Sequence, residues 1–531
     1  MPEVPRPRRR LGGALAVGAG ILLSRIAGLV RGRAVAHYLG LEAAAGAYNA
    51  ALRIPNLLQN LLGEGVLSAS FIPVYVRLMA EGKHEEASRV ARTVGTLLAL
   101  VASLLALLGV LAAEPLAAII APGFKSRELT VSLVRILFPG TAVLVMSAWC
   151  LGVLNSHRKF FLSYAAPVLW NVAIIAAAIV AGRRLAGHDD DIAIWLAWGA
   201  VIGSGAQFLI QLPTVLALLG SARPSLEVRD PGVRTTLHAF LPVLLGRGSA
   251  QVSSYIDTIL SSYLGEAMVA AMGYVQTLYT LPVSLFGTAI SAAELPEMSS
   301  ATGDANERAE HLRRRLASGL RRVVFLVVPS AVAFVAIGGP IVALLFQSGK
   351  FGPDETEVVW LILCGSSIGL VSGTQGRLLS SAFYALSDTR TPFYASLIRF
   401  TITGVAGYLL ALPLRHAFGY STTWGAFGLT ASAGLAAWVE FLLLKHWLTR
   451  RIGAVPVPGK LGMGALAAAI LAGAAGFGVA HLATSLYPRT LVVSLAAIAT
   501  FGAVYLGTMS IAGVQEAGAF TRRLPFLRRR R

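Results

Sequence analysis

The chain contains 531 residues, of which 55% are hydrophobic and only 13% are charged, and its mean hydropathy is +0.68. A soluble protein of this length would carry about 25% charged residues, so the composition excludes a soluble enzyme and predicts a membrane protein with many spans. The net charge of +19 is typical of cytoplasmic loops that face anionic lipid, and no nucleic-acid partner is expected.

Runs of apolar residues, each long enough for one crossing of the membrane, predict about fourteen spanning helices. The first run is too long for a cleaved signal peptide and is followed closely by others, so we expect it to be retained. The predicted spans lie near residues 11–38, 44–79, 88–113, 128–155, 160–182, 192–218, 236–264, 268–299, 317–346, 356–385, 391–414, 420–447, 461–484 and 490–514.

Lys and Arg residues collect in alternate loops, which predicts the orientation of the chain in the membrane. With fourteen spans, all of the strongly basic segments lie on one side, and both termini are then cytoplasmic. These segments are 1–10, 80–92, 157–159, 219–235, 313–322, 388–390, 445–451 and 515–531.

An internal duplication appears when the chain is laid on itself with a shift of about 225 residues: 38–58 then matches 263–285, and 114–124 matches 339–351. The period covers six spans, an even number, so the two halves are parallel repeats, as in transport folds that bind substrate between two lobes. The predicted divisions are a basic tail at 1–10, an N-lobe at 11–218, a linker at 219–235, a C-lobe at 236–447, two further helices at 448–514 and a second basic tail at 515–531.

Ionisable residues within the spans are the most informative single positions, because each costs roughly 2.5–3.5 kcal/mol on insertion scales. Cations predominate among them, which favours an anionic substrate over a drug or metal cation. The candidates are Arg25, Arg31, Arg33, Arg53, Glu64, Arg247, Asp257, Glu294, Arg377, Arg399 and Glu440.

Two of these cations lie in the first span, in the stretch LLSRIAGLVRGR. Arg25 and Arg31 are separated by about 9 Å along a helix axis and by about 120° in rotation. They converge only if the helix kinks at Gly28, or else they contact different parts of a long substrate. Arg33 is predicted to extend to the membrane interface as an anchor.

Arg53 precedes Pro55, and Glu64 lies between two glycines that permit a bend. Both residues are candidates for the cavity, and the alternative is an ion pair that only fixes helix packing. Glu440, near the end of span 12, is predicted to pair at the interface with Lys445 or Arg451.

The seventh span places Arg247 and Asp257 about 15 Å apart along the axis, so the two residues should not pair with each other. The candidate partners are Glu294 or the substrate for Arg247, and Arg377 or Arg399 for Asp257.

The sequence contains no constellation that indicates catalysis, a metal site or a cofactor. Cys150 and Cys364 lie in apolar runs without ligand neighbours, so they are interpreted as structural thiols. No phosphate-binding GKS loop is present, and energy for transport would come from the membrane potential or an ion gradient.

Four stretches, SRIAGLVRGR, RIPNLLQNLLGEGVLSASFIPVY, APGF at 121–124 and AFYALSDTRTP at 382–392, resemble the MurJ (MviN) family of bacterial lipid II flippases, within the multidrug/oligosaccharidyl-lipid/polysaccharide exporter superfamily. The resemblance implies an all-α fold of two six-helix lobes, with two C-terminal helices that form a groove for the lipid tail. It also implies movement of undecaprenyl-diphosphate-linked peptidoglycan precursor across the bacterial inner membrane, from inner to outer leaflet. Membrane lipids and cell-wall synthesis proteins are the other partners it suggests.

The resemblance carries roles to individual residues by position. Arg25 and Arg31 match two first-helix arginines that engage the lipid II diphosphate. Arg53 matches a basic position before P-N-L-L, Glu64 matches a glutamate of an E-G pair, and Arg377 matches a basic residue of the tenth helix.

Several charged positions of the family are lost in this sequence. Uncharged residues stand there instead: Gly46, Gln59, Asn60, Gln276 and Thr277. Since the eighth-helix acid–base pair falls on Gln276 and Thr277, we hypothesise that Arg247 replaces its cation in the cavity.

Some members of the family bind sodium through an aspartate of helix 7 and Asn or Asp in helix 11. Asp257 matches the first, but span 11 carries Arg399 and no Asn or Asp. We hypothesise that Arg399 takes the place of the cation beside Asp257. Alternative functions are export of another polyprenyl-diphosphate glycan, cation-coupled drug antiport, and a scaffold of wall synthesis that does not transport.

Overall fold

The computed structural model describes residues 10–221, 223–300, 304–455, 457–486 and 490–521. Within these ranges the chain forms 22 α-helices and one π-helical segment, and no β-strand. The predicted all-α class is therefore confirmed.

The first ten helices cover the chain up to Ser262. They are α1 (Arg10–Leu39), α2 (Ala43–Leu62), α3 (Glu64–Ala80), α4 (His84–Leu111), α5 (Ala113–Ile120), α6 (Arg127–Ser156), α7 (Phe160–Ala165), α8 (Pro167–Arg184), α9 (Asp189–Leu219) and α10 (Pro231–Ser262).

The remaining helices cover the chain from Glu266 onward, and the π-helical segment Val283–Thr288 joins the first two. They are α11 (Glu266–Pro282), α12 (Ala289–Ser299), α13 (Ala305–Ala336), α14 (Gly338–Phe346), α15 (Pro353–Ser367), α16 (Leu370–Ala385), α17 (Arg390–Ala411), α18 (Pro413–Phe418), α19 (Thr422–Ile452), α20 (Gly459–Leu486), α21 (Thr490–Ile511) and α22 (Gln515–Thr521).

Among the described residues, eleven helical stretches are long and apolar enough to cross a membrane. The pair α15 and α16, bent by 43°, makes a twelfth if it is counted as one span. Two further long helices, α1 and α10, contain 30 and 32 residues but are not among these. The predicted count of fourteen spans is thus approximate.

Contacts between helices divide the chain into two compact units. One comprises Met1–Ala270 with Ser348–Lys350, and the other comprises Ala271–Gln347 with Phe351–Arg531. The division falls within α11, and α10 packs on α2 and α3 of the first unit. The predicted lobe boundaries at 11–218 and 236–447 stay a prediction.

The first unit packs its helices around two apolar cores. One core contains Leu39, Leu133 and Leu196, which are fully buried, and the other contains Phe71 and Tyr75. Helices α8 and α9 approach closely where α9 carries glycines, because a Cβ there would lie within 3 Å of α8. Small residues at helix contacts are typical of packing in lipid, where dispersion replaces the hydrophobic effect.

The second span of each repeat is interrupted. Between α2 and α3, Gly63 leaves the helical conformation, and a Cβ at this position would collide with the carbonyl oxygen of Gln59. In the other repeat the π-helical segment interrupts the helix, and the shift of about 225 residues carries position 63 to its last residue, Thr288. Such π turns are frequent at functional sites.

The second unit also contains two cores. Leu320, Leu378 and Leu444 are fully buried where α13, α16 and α19 meet. Ala469 and Ala472 of α20 pack beside α13 in the other core. A capping box at Asp304 and Glu307 begins α13, because the two side chains satisfy free backbone N–H groups there.

The APGF motif forms a loop that docks on the segment between α10 and α11. A Cβ at Gly123 would collide with the carbonyl oxygen of Ser262, so this close approach requires glycine. The Glu266 carboxylate accepts hydrogen bonds from the backbone N–H groups of Lys125 (2.6 Å) and Ser126 (3.1 Å).

The repeat-related segment Ser348–Lys350 docks within the first unit in a similar way. The Lys350 N–H donates to the carbonyl oxygen of His37 (2.9 Å), and Gly40 lies against the Lys350 backbone. The Lys350 ammonium contacts both oxygens of Asp189 at 2.6 Å. Both repeats therefore use the same kind of loop as a docking element.

Candidate functional site

Arg31 lies where α1, α2 and α8 meet in the first unit. Its guanidinium carbon is 4.6 Å from the centre of the Trp170 ring, a cation–π contact, and Tyr48 is its electrostatic neighbour. The side chain is half-buried. No carboxylate among the described residues forms an ion pair with it, so Arg31 is held in position by an aromatic ring rather than by an opposite charge.

The other two first-helix cations have different surroundings. Helix α1 runs continuously through Gly28, and Arg25 lies exposed on it, away from the contact that holds Arg31. Arg33 is also exposed. The structure therefore separates Arg25 from Arg31 in burial, in keeping with their predicted rotation around a straight helix.

Arg53 and Asp257 are electrostatic neighbours across α2 and α10. In addition, the Tyr255 hydroxyl donates a 2.7 Å hydrogen bond to the carbonyl oxygen of Arg53. Arg53 was not among the predicted partners of Asp257, and the predicted contact of Asp257 with Arg377 or Arg399 stays a prediction. Arg53 lies close because α10 packs on α2, which brings a cation of the second span to the aspartate.

Two predicted residues are described only by their backbone. Arg247 lies within α10, and Glu64 is the first residue of α3, but their side chains lie outside the described part of the structure. The hypothesis that Arg247 compensates for Gln276 and Thr277 stays a prediction. The Gln276 amide donates to Thr280 on its own helix (3.1 Å).

A buried ion pair joins α17 to α19 in the second unit. The Arg399 Nη1 lies 2.9 Å from the Glu440 carboxylate, which also accepts from the Ser396 hydroxyl at 3.0 Å. Glu440 is only 8% exposed. The predicted interfacial pairing of Glu440 with Lys445 or Arg451 is wrong, because the carboxylate faces the neighbouring helix.

This ion pair belongs to a larger polar cluster. Tyr279 of α11 has Arg377, Arg399 and Glu440 as electrostatic neighbours. Its hydroxyl also lies 3.6 Å from where a Cβ would stand at Gly373. With two arginines and one carboxylate, the cluster carries a net positive charge, and the structure thereby brings Arg377 and Arg399 together.

Glu294 of α12 is 3% exposed and is held by cations of α13. Arg322 donates to one carboxylate oxygen at 3.3 Å, and Arg315 lies 4.0 Å from the other. Its described partners are these two arginines, and the predicted contact with Arg247, whose side chain lies outside the described part, stays a prediction. The contacts with the two arginines tie α12 to the basic half of α13.

The DTR segment within AFYALSDTRTP forms the turn between α16 and α17. Asp388 accepts hydrogen bonds from the backbone N–H groups of Arg390 and Thr391 (3.0 Å each) and contacts Arg451 at 2.7 Å. Burial raises the pKa of the Asp388 carboxyl, but the hydrogen bonds from Thr391 and the charge of Arg451 hold it below the usual 3.8. This part of the motif is structural.

The charged residues of the sequence do not indicate the aromatic side chains that surround them in the structure. Trp170, Tyr48 and Tyr279 carry no charge, so only the tertiary contacts reveal that they line cationic sites. The one signal available in the sequence is a Trp-Asn pair inside an apolar run, at Trp170 and Asn171.

Among the described residues, no group of three or more His, Cys, Asp and Glu residues is placed to hold a metal. Cys150 and Cys364 are both free thiols.

The fold matches solved membrane transporters. An inward-facing structure of a multidrug resistance MATE family transporter of the MOP superfamily aligns with a TM-score of 0.65 at 18% identity, over 83% of this chain and 98% of that one. Lipid II flippase MurJ in an inward closed conformation aligns with a TM-score of 0.74 at 22% identity, over 94% and 98%. The chain thus has the many-helix fold of these solved membrane transporters.

Comparison of sequences narrows this class. The family model for lipid II flippase MurJ matches residues 35–502. The chain is 32% identical over 456 residues to lipid II flippase MurJ of Burkholderia cenocepacia, covering 84% of this chain and 85% of the relative. It is 30% identical over 460 residues to the probable lipid II flippase MurJ of Vibrio cholerae, covering 84% of each. The chain belongs to the MurJ family of lipid II flippases.

Proposed function

We propose that this protein is a transporter, not an enzyme, which moves lipid II from the inner to the outer leaflet of the bacterial cytoplasmic membrane by alternating access. Membership of the MurJ family and the fold of a superfamily of transporters support this function. The membrane potential or an ion gradient would supply the energy, at about 2.3 kcal/mol per charge per 100 mV. Both termini would lie in the cytoplasm.

The observation that carries the proposal is the environment of the Arg31 guanidinium. A cation within a membrane span is costly and normally has an anionic partner, but no described carboxylate pairs with Arg31. The diphosphate of lipid II would supply the missing charge. Because the guanidinium rests on Trp170, its planar donors are already oriented, which lowers the entropic cost of binding.

The other arginines differ in whether a carboxylate lies beside them. Arg25 lies exposed on α1 and is proposed to contact the diphosphate or the sugars, together with Arg53, Arg247 and Arg377. The charges of Arg53 and Arg399 are offset by Asp257 and Glu440.

We propose that the ion-paired residues act in gating, because a change of ion-pair partner would switch the protein between the two states of alternating access. These residues are Asp257, Arg399, Glu294 and, by position, Glu64.

The lipid tail requires an apolar surface, and α20 contributes to one. A groove of about 650 Å³ is lined by α13, α15 and α20, including Val335, Trp360, Gly473 and Phe477. Almost all of its lining is apolar, and Gly473 leaves room because a Cβ there would lie 2.8 Å from α13. We propose that this groove accommodates part of the polyprenyl chain.

Complementation tests the function. The gene is expressed in a bacterium depleted of its own MurJ, and lipid II at the outer leaflet is measured with a probe that cannot enter the cell. We expect growth and exposed lipid II with the wild type and loss of both with Arg31→Ala. Expressed protein that restores neither would contradict the proposal, and growth on another exported glycan alone would indicate a related exporter.

Two variants separate the role of Arg31 from a general effect of lost charge. Arg33→Ala removes a neighbouring exposed cation and should support growth. Arg31→Lys keeps the charge but loses the planar stacking, so we expect partial activity. The compensation hypothesis is tested by Arg247→Ala, and full growth with this variant would refute it.

A further inference from the structure

Three buried polar atoms near Arg31 have no hydrogen-bond partner among the described residues. They are the Tyr48 hydroxyl oxygen, the Trp170 Nε1 and the Asn171 Oδ1. Tyr48 is 3% exposed and Asn171 is 4% exposed. Buried polar atoms in membrane proteins are nearly always satisfied, so three together need an explanation.

The contacts of Arg31 place these atoms around one spot. The Trp170 ring lies under the guanidinium, and Tyr48 is its electrostatic neighbour on α2. Asn171 follows Trp170 on α8, and its Oδ1 lies 3.9 Å from where a Cβ would stand at Gly28. Gly28 is one helical turn before Arg31, so the open space left by this glycine adjoins the arginine.

The hydrogen-bonding capacities of the three atoms differ. The indole Nε1 can only donate, and the Tyr48 hydroxyl can donate or accept. The Asn171 amide already donates to the carbonyl oxygen of Pro167 at 3.0 Å, which leaves Oδ1 as a pure acceptor. The spot therefore offers a cation and two donors for an anion, and one acceptor for a neighbouring N–H or O–H group.

We propose that Tyr48, Trp170 and Asn171 complete the Arg31 site as a pocket for a glycosylated prenyl diphosphate. Tyr48 and Trp170 donate to phosphate oxygens beside Arg31, while Asn171 accepts from an amide or hydroxyl group of the first sugar. The pocket consequently distinguishes the glycosylated lipid from a bare prenyl diphosphate, which lacks the sugar amide and hydroxyl groups that donate to Asn171. This inference rests on the proposed function and adds a basis for its selectivity.

Equilibrium binding by the purified full-length protein in detergent tests the pocket. The ligands are a short-chain lipid II analogue and a prenyl diphosphate of the same chain length without sugar. A hydrogen bond to a charged group is worth roughly 1.5–3 kcal/mol, so Tyr48→Phe should weaken binding of both ligands by about tenfold or more. Asn171→Leu should weaken only the glycosylated ligand.

The matched control is Tyr38→Phe, which removes a hydroxyl from a half-buried tyrosine of α1 that also packs on α8. We expect no change in affinity for either ligand. Trp170→Phe keeps an aromatic ring but loses the N–H donor, so it should weaken binding of both ligands as Tyr48→Phe does.

Stability without ligand distinguishes binding from packing. Since the Tyr48 hydroxyl bonds to no described residue, Tyr48→Phe should not lower the free energy of unfolding. Asn171→Leu also loses the hydrogen bond to Pro167, so its test is the affinity for the unglycosylated ligand, which should stay at the wild-type value. A destabilised Tyr48→Phe variant, or an Asn171→Leu variant that binds both ligands as the wild type does, would overturn the inference. Failure of the wild type to bind either ligand would overturn the proposed function as well.

Discussion

Replacing Arg399 with alanine removes the cation that contacts Glu440 within the second unit. Breaking one side of a buried ion pair costs about 3–5 kcal/mol, because the remaining charge stays buried. The Arg399 side chain is 30% exposed and that of Glu440 is 11% exposed, so partial solvation reduces this cost. We expect a loss of about 2–3 kcal/mol in the free energy of unfolding, measured by denaturant titration in mixed micelles.

A double-mutant cycle separates the ion pair from other effects of the substitution. Glu440→Gln keeps an acceptor for Ser396 but removes the charge, so the variant carrying both Arg399→Ala and Glu440→Gln should recover about 1–2 kcal/mol relative to Arg399→Ala alone. Additive losses in the double variant would refute the reasoning, since they would mean that the two residues do not interact.

Three further predictions follow from single contacts. Burial raises the pKa of Glu516, but the hydrogen bonds from Arg321 outweigh it and lower that pKa below 4.5. The stability that this contact contributes should therefore be present above pH 4.5 and fall as the pH drops through the lowered pKa. Glu516→Gln should remove this pH dependence from unfolding curves. Gly63→Ala should cost about 1–3 kcal/mol, because its Cβ would collide with the preceding turn, whereas Gly205→Ala, with open space around it, should be nearly neutral in the same assay. Glu266→Ala should lower the free energy of unfolding by about 1 kcal/mol and speed proteolysis of the loop that this carboxylate holds. An unchanged rate of cleavage would mean that these hydrogen bonds do not hold the loop.

The class of the fold was predictable because the pattern that determines it is local. Each apolar run is long enough for one crossing, and Gly63 between α2 and α3 stands in a sequence that predicts a bend. The roles of Arg25 and Arg31 as candidates also followed from composition, since a cation inside such a run is costly wherever the fold places it.

The partners of these charges were less predictable. The position of Glu440 near the end of its span predicts a pair with Lys445 or Arg451, but the structure pairs it with a residue of α17. The structure also brings Asp257 close to Arg53 of α2, a neighbour that the sequence did not predict. Helix packing decides such contacts, and hydropathy contains no information about which faces meet.

By itself, the sequence determined that this protein has many membrane-spanning helices, and it predicted parallel repeats and arginines within the apolar runs. These properties depend on composition and spacing along one segment. Only the tertiary structure decided that Arg31 rests on Trp170 beside Tyr48, whereas Arg399 is neutralised by Glu440. The physical reason is that the free energy of a buried charge depends on its neighbours in space, and those neighbours come from helices far apart in the chain.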